Sequence, residues 1–349
     1  MTILRPDRCV VWDGQQACGP CTEDTELEKQ AKELEIRLEK IYTRRRALRT
    51  GMNENHDPFI HKFPPEIASH IFIHYAPPSL LFDENRRSTP LDIGAVCQKW
   101  RQLAWATPQL WSSLFVRTGL RARNNRSSDS DMPQLISEWL ERSASVPLTI
   151  AFHHMHMGHV NGDNVSHKVI NILNKHSAKW YDVHFDLTPS LLLSLHGSSD
   201  SLGKNILNRL VLCSPELSYL DDGRVPTTFS MNSKPSPTDL TLIRVGVRDV
   251  DIIWVNLTVA TVEQIGVDEC FELMAQAPLL EKLSLCKIYP SSSRVPFPKT
   301  RIVCPRLHSL QLLKITEETV VAGILDSLCL PSLEKWIHYR CALPMDDAT

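Results

Sequence analysis

Cys18-Gly19-Pro20-Cys21 has the spacing used in thiol–disulfide exchange, where a helix N-terminus lowers a thiol pKa and makes it a nucleophile. That chemistry also needs a strand–helix unit upstream, and only seventeen residues precede Cys18. Trp12 stands six residues away rather than beside the pair. Cys9 offers a third thiolate, but further ligands do not follow at zinc-type spacing. His153, His154, His156 and His159 interleave with Met155 and Met157, donors suited to a soft or borderline metal. On a strand from Phe152 to Met157, His154 and His156 share a face, although exposed histidine-rich strand ends are commoner than metal sites. The segment Gly197 to Asn205 imitates a phosphate loop with a gap one residue too long, and Asn205 stands where a magnesium-binding Ser or Thr belongs. The sequence carries no G-x-S-x-G elbow, no H-E-x-x-H and no kinase set, and no carboxylate pair is placed in a common cleft. These residues predict no catalysis, no cofactor and no assigned metal site. Metal binding by Cys18 and Cys21, or by the histidines, stays open.

The elements around them have to be placed next. A length of 349 residues suits two or three domains, and 42% apolar with 22% charged residues is ordinary soluble composition. A formal net charge of -2 gives no long-range attraction to nucleic acid or to anionic lipid. The basic clusters at Arg44 to Arg46 and Arg117 to Arg126 lack interleaved stacking aromatics, so no nucleic-acid partner is expected. No run of about 18 apolar residues and no apolar signal core occur, so the expected location is cytoplasm or nucleus, with no membrane partner. In that reducing setting most of the ten cysteines should be free; Cys97, Cys213, Cys270 and Cys286 read as small buried hydrophobes.

Residues 1–22 show no periodicity and are expected to be a poorly ordered arm. Across 23–50, Leu27, Ala31, Leu34, Leu38, Ile41, Arg45 and Leu48 alternate steps of four and three, the seam of a coiled-coil-like amphipathic helix. It spans barely three heptads and has Arg45 in the seam, which favours a helix packed on its own protein over self-association. Gly51, Asn53 and Asn55 are expected to end it.

From Phe59 to Phe115 the pattern is helical but short. Pro64, Pro65 and Glu66 suit a helix start, and Ile67, Ile71, Phe72 and Tyr75 follow one helical face. Leu91, Ile93, Val96, Cys97, Trp100, Leu103 and Ala104 repeat the pattern, and Thr107-Pro108 opens a last turn through Leu110 and Trp111. Three short helices cannot bury two tryptophans and several large aliphatics among themselves, so part of this surface should meet a partner.

A Ser-, Asn- and Asp-rich linker is expected over 117–133. Beyond it, over 134–349, L-x-x-L-x-L segments recur: Trp180, Val183, Phe185; Leu207, Leu210, Leu212; Trp254, Leu257, Val259; Leu280, Leu283, Leu285; Leu307, Leu310, Leu312; and a weak copy at Leu333, Trp336, His338. From Leu280 the steps are 27 and 26 residues, with Pro278, Pro305 and Pro331 ahead of each copy. Leu242, Val245 and Val247 make another candidate strand, and Pro147 to Phe152 an earlier one. Helices are expected at Val169 to His176, Ser190 to Leu195, Val267 to Ala277 and Glu317 to Leu328. A strand and helix repeated this way bury their apolar faces only by stacking, which predicts a leucine-rich-repeat-like α/β solenoid. The alternative is an ordinary α/β domain.

The run Phe63-Pro64-Pro65-Glu66-Ile67, then Val96-Cys97-Gln98-Lys99-Trp100-Arg101, then Pro108-Gln109-Leu110-Trp111 resembles an F-box of a kind common in fungal protein families. It departs in having Phe63 where the family usually has Leu and in the insert from Ala76 to Pro90. The resemblance implies a three-helix module, 59–116, that binds a Skp-type adaptor and through it the cullin of a ubiquitin ligase. On it, Phe63, Pro64, Pro65, Ile67, Ile71, Val96, Trp100, Leu110 and Trp111 are expected to form the adaptor-binding face. The whole then reads as α+β to α/β: an N-terminal helix, an F-box-like module, and a repeat domain that holds a protein target of unknown identity. A repeat scaffold without any ligase is the competing reading, and a thiol oxidoreductase is a third.

Overall fold

The computed structural model describes residues 19–56, 58–76, 89–119, 128–154, 160–198, 205–215, 229–290, 297–298 and 300–339. Among them no helix is long and apolar enough to cross a membrane. The chain forms two compact units, one of Met1–His70 with Leu91–Leu103, the other of Ile71–Pro90 with Ala104–Thr349.

The first unit is helical. Helix α1 runs over Gly19–His56, longer at both ends than the expected 23–50. A single interior glycine costs about 1 kcal/mol, which does not end a helix already propagating, so α1 passes through Gly51. The seam is uncovered rather than packed inward, since Leu27, Leu34, Leu38, Ile41 and Leu48 are all exposed. Helix α2 (Pro58–Lys62) sets Phe59 against Trp100 of α5 (Gln98–Trp105), with ring centroids 5.1 Å apart. Helix α4 (Pro90–Val96) is tied to α5 across the break at Cys97 by Arg101 Nε, which donates to the Gly94 carbonyl at 2.9 Å.

Helix α3 (Pro65–Tyr75) starts on its proline with Glu66 in the first turn, where a carboxylate favours the positive end of the helix dipole. Its apolar residues divide into two stripes. Ala68, Phe72 and Ala76 at its end are buried, while Ile67, Ile71 and Tyr75 are exposed. Phe72 therefore does not share the face of Ile67 and Ile71.

The second unit is α/β. Nine strands among the described residues form one sheet in strict chain order, every neighbouring pair parallel. They are β1 (Ser113–Thr118), β2 (Leu148–His154), β3 (Trp180–Asp186), β4 (Arg209–Cys213), β5 (Asp239–Ile243), β6 (Val259–Glu263), β7 (Lys282–Cys286), β8 (Ser309–Leu313) and β9 (Lys335–Tyr339). Their connections carry helices α6 (Ser128–Arg142), α7 (Val160–Lys175), α8 (Pro189–Leu192), α9 (Val267–Gln276) and α10 (Glu318–Asp326). Two-residue parallel pairs, Phe229–Ser230 with Val250–Asp251 and Ile302–Val303 with Leu328–Cys329, form two further small sheets.

Register turns the repeated leucines into two continuous ladders on one face. Leu114, Ile150, Val183, Leu210, Leu240, Ala260, Leu283 and Leu310 lie side by side, as do Val116, Phe152, Phe185, Leu212, Leu242, Val262, Leu285 and Leu312. All sixteen are buried. At about 25 cal/mol per Å² of apolar area, such ladders dominate the stability of the unit.

Two features recur from strand to strand. From β4 to β8 the carbonyl just before the strand accepts both amides that open the next: Asn208 from Thr238 and Asp239, Thr238 from Thr258 and Val259, Thr258 from Glu281 and Lys282, Glu281 from His308 and Ser309, and His308 from Glu334 and Lys335. Just after β5, β6, β7 and β8, Arg244, Gln264, Lys287 and Lys314 adopt left-handed backbone at φ 58, 60, 51 and 53°. Each is followed by a buried branched residue, Val245, Ile265, Ile288 or Ile315.

Several boundaries differ from the expectation. Ser113 to Thr118, divided between the helical module and the linker, form the first strand of the sheet. The Ser- and Asp-rich segment read as linker to 133 enters α6 at Ser128, because the same residues suit a helix N-terminus. Helix α6 ends at Arg142, where Lys179 Nζ donates to the carbonyls of Ala144 at 2.7 Å and Leu140 at 3.2 Å, a cation at the negative end of the dipole. The inward residues of β6 are Ala260 and Val262 behind Leu257, not Leu257 and Val259 behind Trp254. Those of β5 are Leu240 and Leu242. Here Ala260 and Val262 replace leucine and weaken the pattern, and pairing with neighbours sets the register instead.

Candidate docking surfaces

The residues assigned to adaptor binding do not share one environment. Phe63, Pro64, Pro65, Ile67, Ile71 and Val96 are exposed, with Ile67 49% and Val96 54% accessible. Ile67 and Ile71 stand one turn apart on α3, which makes an apolar stripe on a helix whose adjoining stripe, Ala68 and Phe72, is buried. Trp100 is partly buried against Phe59.

Leu110 and Trp111 correct the expectation. They lie in the 3₁₀ turn Pro108–Trp111, at 3% and 0% accessible, within the α/β unit. Trp111 Nε1 donates to the Ala104 carbonyl at 2.8 Å, and its ring meets Trp139 of α6 at 4.8 Å and the Arg142 guanidinium at 4.9 Å. Thr107 occupies the N-cap position of this turn without a side-chain cap bond. A fully satisfied indole inside a core has no surface left for a partner.

A second surface is the sheet face opposite the leucine ladders, whose residues the L-x-x-L-x-L reading leaves as unassigned x positions. Its centre is polar. His153 Nδ1 stands 3.4 Å from Asp186, His153 and His184 rings are 4.9 Å apart, and Cys213 Sγ is 3.6 Å from His184 Nε2. The hydrogen bond from His153 holds the Asp186 carboxyl below its ordinary range. Burial, with His153 nearby, pushes His184 down to about 4, so it is neutral near pH 7. Burial pushes Cys213 up to about 12, aided by Asp186, so its sulfur stays a thiol and is a poor nucleophile. Along the N-terminal ends of the strands Asp182, Arg209 and Asp239 lie in register, with Arg209 Nε 3.5 Å from Asp239; burial raises both carboxyl pKa values. Towards the last strands the same rows carry Ser284, Gln311 and Ile337, with Tyr339 at 58% accessible on the edge. Such a face offers hydrogen bonds and charge over several strands.

The chemical constellations resolve differently. Strand alternation puts His153 on this outer face and buries His154, whose Nδ1 lies 3.0 Å from Thr118 Oγ1 and 2.9 Å from Ser166 Oγ. His156 and His159 lie outside the described residues, as do Cys9, Trp12 and Cys18, while Cys21 sits in the first turn of α1. Among the described residues no group of three or more His, Cys, Asp or Glu is placed to hold a metal. The phosphate-loop imitation has its first amides in use: Gly197 N–H donates to Asn174 at 3.0 Å and Ser198 N–H to Ser177 at 2.8 Å. The cavity of about 10 Å³ beside them, lined by Ser177, Asn205, Met231 and Ser233, is at the limit for one water.

Compared with known proteins, the chain matches no family model, no curated protein and no solved structure.

Proposed function

We propose that the chain is a substrate-receptor subunit of a Skp/cullin/F-box ubiquitin ligase, acting in the cytoplasm or nucleus, with an F-box-like segment for the adaptor and a leucine-rich-repeat-like solenoid for the target. The observation that carries the first half is the exposed Ile67 and Ile71 on α3, with Phe63 ahead of them and Val96 on α4 likewise bare. A helix that buries Ala68 and Phe72 and leaves isoleucines one turn apart in water is suited to a second apolar partner. The second half rests on the repeated double-amide bond and the repeated left-handed residue, which mark one structural unit copied along the sheet. Holding a target near a charged ubiquitin carrier would supply proximity, with no bond chemistry by this chain.

The test is co-purification of the full chain with a Skp-type adaptor. Ile67→Asp and Val96→Asp should abolish capture while circular dichroism stays unchanged; capture equal to wild type in both variants would discredit the assigned face. A second reading, a repeat scaffold without a ligase, is favoured by the burial of Leu110 and Trp111, which removes two of the nine residues that the resemblance implies for docking. Under that reading the wild-type chain captures no adaptor.

A further inference from the structure

We infer that α1 pairs with α1 of a second copy of this chain as an antiparallel coiled coil. The helix extends to His56, so the seam gains Met52 and runs through eight positions, from Leu27 to Met52 in alternating steps of four and three. Leu27, Leu34, Leu38, Ile41, Leu48 and Met52 are 49–64% accessible, an apolar stripe along a helix of about 57 Å at 1.5 Å per residue. An isolated helix exposing such a stripe is stabilised chiefly by packing it on another.

Charge selects the occupant and its direction. Between Glu23 and Glu39 seven acidic residues face three basic ones, whereas Lys40 to Thr50 holds five basic residues and no acidic one. A parallel pair would set acidic half beside acidic half and Arg45 against the partner's Arg45. Reversing the second copy sets each acidic half beside a basic half. In the register that makes seam layers, Leu38 meets the partner's Ile41, Ala31 the partner's Leu48, and Leu27 the partner's Met52. Arg45 then lies over the partner's Leu34, its stem covering the leucine and its guanidinium reaching the partner's acidic half. Flanking the seam, Glu28 faces the partner's Arg49. Arg37 facing the partner's Arg44 is the one unfavourable flank, outweighed by the opposed halves. The pairing stands independently of the adaptor reading, because it uses no residue beyond α1.

The experiment is sedimentation equilibrium of the full chain over a concentration series, at low and high salt. Wild type should form a dimer whose dissociation constant rises with salt, because screening weakens attraction between the opposed halves. Leu38→Glu should give a monomer with unchanged near-ultraviolet circular dichroism. Glu28→Arg and Arg49→Glu should each weaken the dimer several-fold, and the double variant should restore it. A single monomer mass up to the solubility limit, a larger oligomer, a dimer that survives Leu38→Glu, a dimer that salt strengthens, or failure of the double variant to restore pairing would each overturn the proposal.

Discussion

The indole of Trp111 meets the indole of Trp139 edge to face, 4.8 Å between ring centroids at an interplanar angle of 76°. The contact joins the last turn of the helical segment to α6, and Arg142 lies over the rings of both Trp105 and Trp111. A motif residue that sequence resemblance assigns to a partner is thereby an anchor of the α/β core. Its removal leaves a large cavity and takes one of two donors from the Ala104 carbonyl, which keeps the Thr107 N–H at 3.3 Å. Trp111→Ala should lower unfolding free energy by about 3–5 kcal/mol in urea denaturation, far beyond a surface change.

Helix α3 allows a matched comparison. Ile67 is 49% accessible and Phe72 2%. Ile67→Asp should leave the thermal midpoint within the range of surface changes, about 0.5 kcal/mol, whereas Phe72→Asp buries an unpaired carboxyl and should unfold or severely destabilise the protein. Equal losses for both would mean that Ile67 is part of a core, and the docking surface would be lost with it.

His184 should give a pH signature. Its pKa falls from 6.5 to about 4 on folding, so between those values the unfolded chain binds a proton that the folded chain refuses. Its contribution is therefore present above pH 6.5 and lost as pH drops towards 4. The shift has a ceiling of about 3 kcal/mol, and partial exposure reduces this to about 1–2 kcal/mol. Asp186, held low, loses stabilisation in the same direction at more acid pH, while Asp182 and Asp239, raised by burial, act oppositely. Subtracting the stability–pH curve of His184→Gln from that of wild type isolates the histidine. A flat difference between pH 6.5 and 4 would refute the assignment.

The left-handed residues after the strands predict an inversion of the usual glycine penalty. Lys314, at φ 53°, holds a conformation that costs an L-residue about 1–2 kcal/mol, while its N–H donates to the Tyr339 carbonyl at 2.8 Å. Lys314→Gly relieves that strain but gains unfolded-chain entropy, for a net stabilisation of up to about 1 kcal/mol. Lys314→Val should destabilise by about 1 kcal/mol or more, since a branched side chain tolerates this region worst. Denaturant midpoints of the two variants should move in opposite directions.

Much of the α/β unit was legible because burial imposes a period. Leu280, Leu283, Leu285 and Leu307, Leu310, Leu312 are buried strand positions, and Pro278, Pro305 and Pro331 stand in the turns ahead of them. The sheet's beginning was hidden because Ser113 to Thr118 follow a helical motif directly and carry no leucine pair of their own. The register of β6 was hidden because Ala260 replaces a leucine, and that of β5 because Pro237 stands where the first leucine of the pattern would precede Leu240 and Leu242. A nine-residue signal, L-x-x-L-x-L-x-K-I in Leu280 to Ile288 and Leu307 to Ile315, would have located the left-handed turns as well.

What the amino-acid order determined by itself was periodicity: the helical seam of α1, the helical period of the short helices and the leucine spacing of most strands. Tertiary structure alone decided which apolar residues are satisfied. Trp111 and Leu110 are buried in the α/β core, whereas Ile67, Ile71 and the large apolar seam residues from Leu27 to Met52 are exposed among the described residues. The reason is that period depends on local geometry, while burial depends on what arrives from distant sequence, as Trp139 arrives at Trp111 and Asp186 at His153.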